Sequence, residues 1–105
     1  MEIKMKRHNV YISGPMTGLP EYNHPAFFNA HNRLIESGHA VINPAISAVE
    51  DTKHLSEPEW IDYMISCVSR MKNATAIHLL QGWESSPGAL IEKMIADRMQ
   101  LEVVS

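Results

Sequence analysis

Residues 74–80 read ATAIHLL, an almost unbroken apolar run with one histidine in it. A strand with one wet face alternates polar and apolar residues, whereas a strand covered on both faces does not, so the run predicts a buried strand of a parallel sheet. Upstream, NVYIS (Asn9 to Ser13) is a β-branched and aromatic run stopped by Gly14-Pro15, and HAVIN (His39 to Asn43) is ended by Pro44. Downstream, LEVV (Leu101 to Val104) supplies a fourth short strand.

Helical segments separate the strands. Pro25 suits the first position of a helix capped by Asn23 or His24 and closed by Gly38 after Ser37, with Phe27, Ala30, Leu34 and Ile35 inward. A looser segment runs from Ala45 to Leu55. Ser56 and Glu59 then fit a capping box, which opens a helix reaching about Asn73 with Ile61, Met64, Val68 and Met71 inward. Ser86 and Pro87 suit the cap and first turn of a last helix. Strand and helix alternate throughout, which predicts an open, mostly parallel four-stranded α/β sheet with helices on both faces. No repeat or boundary divides residues 1–105, so we read one domain.

At 105 residues and 45% hydrophobic content the chain can build only a thin core, which favours a homodimer or higher homo-oligomer. The net charge of −3 is mild, and basic residues are scattered apart from Lys4, Lys6 and Arg7, so no large nucleic acid is the expected partner. A small phosphorylated ligand remains compatible. Cys67 is the single cysteine, which rules out an internal disulfide or a cysteine zinc cluster within one chain. No segment has the apolar length of a signal-peptide core or the roughly 20 residues of a membrane span, so the expected home is the reducing cytoplasm, with no membrane partner.

In open parallel sheets, ligands bind beyond the carboxyl ends of the strands. That edge collects Ser13 to Gly18, Asn43-Pro44 and Gln81 to Ser86. The last helix, written QGWESSPGALIE from Gln81, carries Glu92 amid apolar residues. At about 100° per residue, Ala96 and Met99 lie within roughly 40° of Glu92, and Ile91, Ile95, Gly88 and Ala89 extend the same arc. Lys93 and Asp97 fall on the opposite side. Glu92 could assist the helix terminus or pair with Lys93 or Arg98. It lies past the first turn, however, and its i+4 partner is Ala96, so a nucleophile or base held in a cleft is the favoured reading. Gly88 and Ala89 leave room over the helix, and Ser85, Ser86 and the free amides of its first turn form either a simple cap or an anion site.

These residues resemble a family. YISGPMTG from Tyr11 to Gly18 and GWESSPGALIE from Gly82 to Glu92, separated by an Asn-Pro after the second strand, resemble the nucleoside 2-deoxyribosyltransferase-like superfamily, especially a short branch common in phage and bacterial genomes. The resemblance spans almost the whole chain and implies a flavodoxin/Rossmann-like sheet. It implies that Glu92 attacks the anomeric carbon of a nucleoside or its 5'-monophosphate and forms a covalent glycosyl intermediate. Tyr11 would position that nucleophile, Ser86 would bind a 5'-phosphate, and Gly14, Pro15, Met16 and Gly18 would wrap the sugar or phosphate. No cofactor is implied. Relatives usually carry an aspartate on the inner side of the preceding helix; here Tyr63 and Cys67 hold the inward positions while Asp62 falls on the polar side. Asp62 and Cys67 are both candidate site residues, and a Cys67 in the acid's place weakens general acid assistance and adds weight to a binding role or a changed substrate.

Other residue patterns carry less. The six histidines form no His-x-x-x-His pair or His-Glu-x-x-His pattern, so no metal site is expected. Cys67 follows no glycine-rich elbow and reads as a core thiol. Gly14 and Gly18 lack dinucleotide-fingerprint spacing. Trp83 suits either base stacking or packing, and Tyr22, Phe27 and Phe28 favour packing. The expectation is an N-glycosidase or deoxyribosyltransferase acting on a nucleoside or nucleotide, and the alternative is a non-catalytic protein that senses or sequesters such a ligand.

Overall fold

The computed structural model describes residues 6–16, 18–47 and 56–105. Lys4, Thr17 and the greater part of the looser segment, 48–55, lie outside the described residues. The strands are β1 (Asn9–Ser13), β2 (Ala40–Ile42), β3 (Ala76–Leu79) and β4 (Glu102–Val103). Between them run α1 (His24–Glu36), α2 (Glu57–Arg70) and α3 (Pro87–Arg98). All pairings are parallel, in the order β2-β1-β3-β4. The chain thus winds outward from β1 to β2, then returns to the other side of β1 to lay down β3. Strand order reverses between β1 and β3, where a parallel sheet leaves a crevice at its carboxyl edge.

Side chains of β1 alternate between two cores. Val10 and Ile12 pack with Phe27, Ala30 and Leu34 of α1, while Tyr11 packs on the other face with Cys67 and Met71 from the α2 segment and Ala96 of α3. In β3, Ala76 belongs to the first core and Ile77 to the second. Helices therefore cover both faces, which is why these two strands show no polar alternation.

Local signals in the sequence account for the helix ends. Ser56 and Glu59 form the expected capping box: the Ser56 amide donates to Glu59 Oε2 at 3.1 Å, and Ser56 Oγ accepts from the Glu59 amide at 3.3 Å. Gly38 follows α1 with a left-handed φ of 95°, which suits a residue without a Cβ. Asn23 precedes α1 in the left-handed region and makes no side-chain cap bond, so Pro25 marks the start better than either proposed cap. The predicted helix ending near Asn73 finishes as a 3₁₀ turn, Met71–Asn73.

Three helical faces are rotated from the expected ones. Ile35 is 48% exposed and Ile61 50%, although helical spacing alone places both inward. On α1 the buried stripe is Phe27, Ala30 and Leu34, and Ile35 lies about 80° past its edge. On α2 the stripe centres on Met64, Cys67 and Met71, which leaves Ile61 at the margin and Val68 half-buried. On α3, Ala89, Glu92 and Ala96 are buried, whereas Ile91 and Met99 are partly exposed.

At the amino edge, buried His8 contacts Thr75 Oγ1 and the Glu102 carboxylate, each at 3.0 Å, and its amide donates to His39 Nδ1 at 3.1 Å. His78 donates from Nδ1 to the Val104 carbonyl at 2.8 Å and accepts from Arg33 at 3.1 Å. These three histidines are satisfied core residues. Among the described residues, no helix is long and apolar enough to cross a membrane.

The β1 exit is packed without slack. A Cβ on Gly14 would stand 2.6 Å from Leu80 Cβ, an atom fixed to the backbone of the segment after β3. Gly14→Ala should therefore destabilise the domain by about 1–3 kcal/mol, the usual range for overpacking, as read by denaturant unfolding.

Candidate active site

β1 aims Tyr11 and Ser13 at the α2 and α3 face, because residues two apart on a strand share a side. Both are fully buried. α3 brings Glu92 to meet them: Tyr11 donates its hydroxyl to Glu92 Oε2, and Ser13 Oγ donates to Oε1 at 2.7 Å. Each carboxylate oxygen thus has a buried hydroxyl donor. Glu92 is 6% exposed, and that remaining surface matters because it forms part of a cavity wall.

The cavity, of about 450 Å³, lies at the carboxyl edge of the sheet between α2 and α3. Gly14, Pro15 and Met16 line it from the β1 exit, Trp60, Tyr63, Met64 and Cys67 from α2, and Ser86, Gly88 and Glu92 from the α3 side. Gly88 keeps it open; a Cβ there would lie 3.1 Å from Met64 Sδ. Ser86 caps α3 by accepting from the Ala89 amide at 3.3 Å, so the anion-site and capping readings fall on the same serine.

Burial controls the electrostatics. Loss of water pushes the Glu92 carboxyl above its ordinary range, opposed by the hydrogen bonds from Ser13 and then Tyr11. Burial and the neighbouring Glu92 charge raise Tyr11 far above an ordinary phenol, which keeps it a donor. Burial, then the charge of Glu92, also raises the Cys67 thiol, against the lowering effect of hydrogen bonds with Tyr63 and Tyr11. Cys67 is a protonated thiol facing the cavity rather than an activated nucleophile.

The structure gathers Tyr11, Ser13, Gly14, Pro15, Met16, Ser86, Gly88, Cys67 and Glu92 in and around one cavity. It does not bring the others there. Gly18, Trp83, Ser85 and Asp62 are not among its lining residues. Asp62 is exposed, so the inward position in α2 belongs to Cys67. Trp83 starts a 3₁₀ turn, Trp83–Ser85, and stays half-buried outside the cavity. Asn43 is buried and holds the backbone after β2, since its Oδ1 accepts from the Ala45 amide at 2.9 Å and its Nδ2 lies 3.3 Å from His31. Sequence reasoning missed Glu57 and Trp60 as lining residues. Their signal was present in helical spacing, since Glu57, Trp60, Met64 and Cys67 follow one stripe of α2.

No group of three His, Cys, Asp or Glu residues that could hold a metal ion occurs among the described residues. The fold and cavity define an open parallel α/β domain with a buried acid at the crevice where strand order reverses. Within that class, the chain belongs to the family described as a domain of unknown function (DUF4406), whose family model matches residues 8–105. No curated protein and no solved structure matches the chain.

Because the folded-state pKa of Glu92 is raised, its contribution to stability is complete below the unfolded pKa and is lost as pH rises through the folded value. Glu92→Gln should consequently melt higher than wild type near neutral pH, by roughly 5 °C for each kcal/mol relieved, and the gap should close toward about pH 4. Thermal melts of both proteins across that range check the sign.

Proposed function

We propose that the domain is an N-glycosidase or deoxyribosyltransferase acting on a nucleoside, a nucleoside 5'-monophosphate or a related small molecule, with Glu92 as nucleophile. The observation that carries this reading is the Glu92 carboxylate on the cavity wall, fixed by two buried hydroxyls. The clamp favours the ionised form needed for attack, while burial strips it of the water that would blunt it. The same motifs resemble the nucleoside 2-deoxyribosyltransferase-like superfamily, and the lining of Ser86 and Gly88 at the start of α3 suits a phosphate.

In the proposed reaction a Glu92 oxygen bonds to C1' as the bond from C1' to the base breaks. The electron pair leaves with the base, which takes a proton from water at the cavity mouth. An oxocarbenium-like state is stabilised beside the carboxylate, and the product of this step is a glycosyl ester. Water then attacks C1', loses a proton to solvent and restores the carboxylate; a second base in place of water gives transfer. No metal or organic cofactor takes part in these steps.

A second reading, a protein that binds a nucleotide to sense or sequester it, is favoured by one observation. The inward α2 position beside Glu92 holds the Cys67 thiol, a poor source of general acid assistance. We further propose a reducing, cytoplasmic home, which suits this single free thiol, and a homodimer or higher assembly covering exposed Ile61, Ile65 and Met94. A monomeric mass in solution at high concentration would contradict the assembly.

Incubation with nucleosides and 5'-monophosphates, with and without an acceptor base, followed by chromatography, should reveal released or exchanged base. Glu92→Ala should lower that rate by about 10³-fold or more while ligand binding persists. Binding by wild type with no base released would favour sequestration instead.

A further inference from the structure

The α2 side of the cavity carries two residues that the glycosyl chemistry leaves unused. Glu57 and Trp60 both line it, and a spacing of three places them on one helical face with Cβ atoms about 5–6 Å apart. Trp60 is half-buried and lines the cavity, so its indole offers a ring on which a base can stack. Glu57 is exposed and free of the helix cap, whose carboxylate comes from Glu59. Among the described residues, no hydrogen bond or ion pair joins Glu57 to another, and no Lys or Arg lines the cavity. The wall thus offers an acceptor-only group that no cation among the described residues neutralises. The part of a ligand that meets Glu57 must bring its own donors.

We propose that Glu57 and Trp60 select the base of the ligand, and that the selected base presents two adjacent N–H donors, as guanine does. The inference rests on the nucleotide reading of the cavity and adds its base preference. A carboxylate has two oxygens side by side, which match two parallel donors. Guanine supplies such a pair through N1–H and the 2-amino group. Hypoxanthine keeps only N1–H. Adenine and cytosine set an acceptor nitrogen beside their amino group, and thymine flanks its one N–H with carbonyls, so each turns at least one acceptor toward the carboxylate. Trp60 would stack on any of these rings and so adds affinity without choosing among them.

The test is equilibrium binding in a Glu92→Gln background, which halts turnover, using the 5'-monophosphates of deoxyguanosine, deoxyinosine, deoxyadenosine and thymidine. Deoxyguanosine monophosphate should bind about 10-fold tighter than the deoxyinosine compound, the worth of one hydrogen bond of about 1.4 kcal/mol, and tighter still than the other two. Adding Glu57→Gln should compress the guanine-to-hypoxanthine ratio to within about threefold, since the amide meets one of the two donors with a donor of its own. Trp60→Ala should weaken all four ligands alike. Nucleotides that bind with no guanine preference, or with a preference unchanged by Glu57→Gln, would overturn the base-selection proposal and leave the glycosyl reading standing. If none of the four binds either the background protein or wild type, the nucleotide reading itself falls and this proposal with it.

Discussion

Two hydroxyls of β1 hold the carboxylate of α3 away from water, and the cavity's chemistry depends on that contact. An isolated buried carboxylate is costly enough that it would take up a proton. Tyr11 and Ser13 offset part of that cost, because each donates to a different oxygen of Glu92. The contact can form only because parallel pairing brings β1 into the centre of the sheet and because Ser86 and Pro87 start α3 at the right place along the chain. A hydroxyl pair two residues apart on one strand is rigid, so the carboxylate has little freedom to turn.

Topology places the carboxylate where a ligand can reach it. The reversal of strand order between β1 and β3 opens the sheet's carboxyl edge, and the β1 exit, α2 and α3 close around the gap. Gly14 lets the exit press against Leu80, while Gly88 leaves room over α3 for the Met64 side chain, whose sulfur a Cβ would crowd at 3.1 Å. Small residues at these two points let neighbouring side chains approach the backbone on both sides of the cavity. The amino edge is built differently, with His8, Thr75 and Glu102 tied together.

Much of this arrangement is legible in the sequence. The run ATAIHLL and the strand NVYIS announce a covered parallel sheet because every position in them must satisfy two cores. Glu92 stands out because helical phase puts it among apolar residues, and its burial follows that phase. Less legible is which edge of each apolar stripe meets the sheet. Ile35, Ile61 and Ile91 belong to apolar arcs yet lie at their margins, and helix rotation is set by packing against partners far along the chain. Trp83 and Trp60 illustrate the same limit: one tryptophan beside a conspicuous Gly-Ser-Pro stretch stays outside the cavity, and the plainer one on α2 lines it. Asn43 was legible as an edge residue, but its work is to hold the turn that follows β2.

In the proposed reaction Glu92 forms a bond to C1' of the ligand. Intact-protein mass measurement after incubation with a 2'-fluoro nucleoside 5'-monophosphate, whose electron-poor sugar slows breakdown of a glycosyl ester, would detect that bond. A mass gain equal to one sugar phosphate, mapped to the peptide containing Glu92 and absent from Glu92→Gln, is the predicted result. An adduct on another residue such as Cys67, or base release by a protein whose mass never changes and whose Glu92→Ala form stays active, would contradict it.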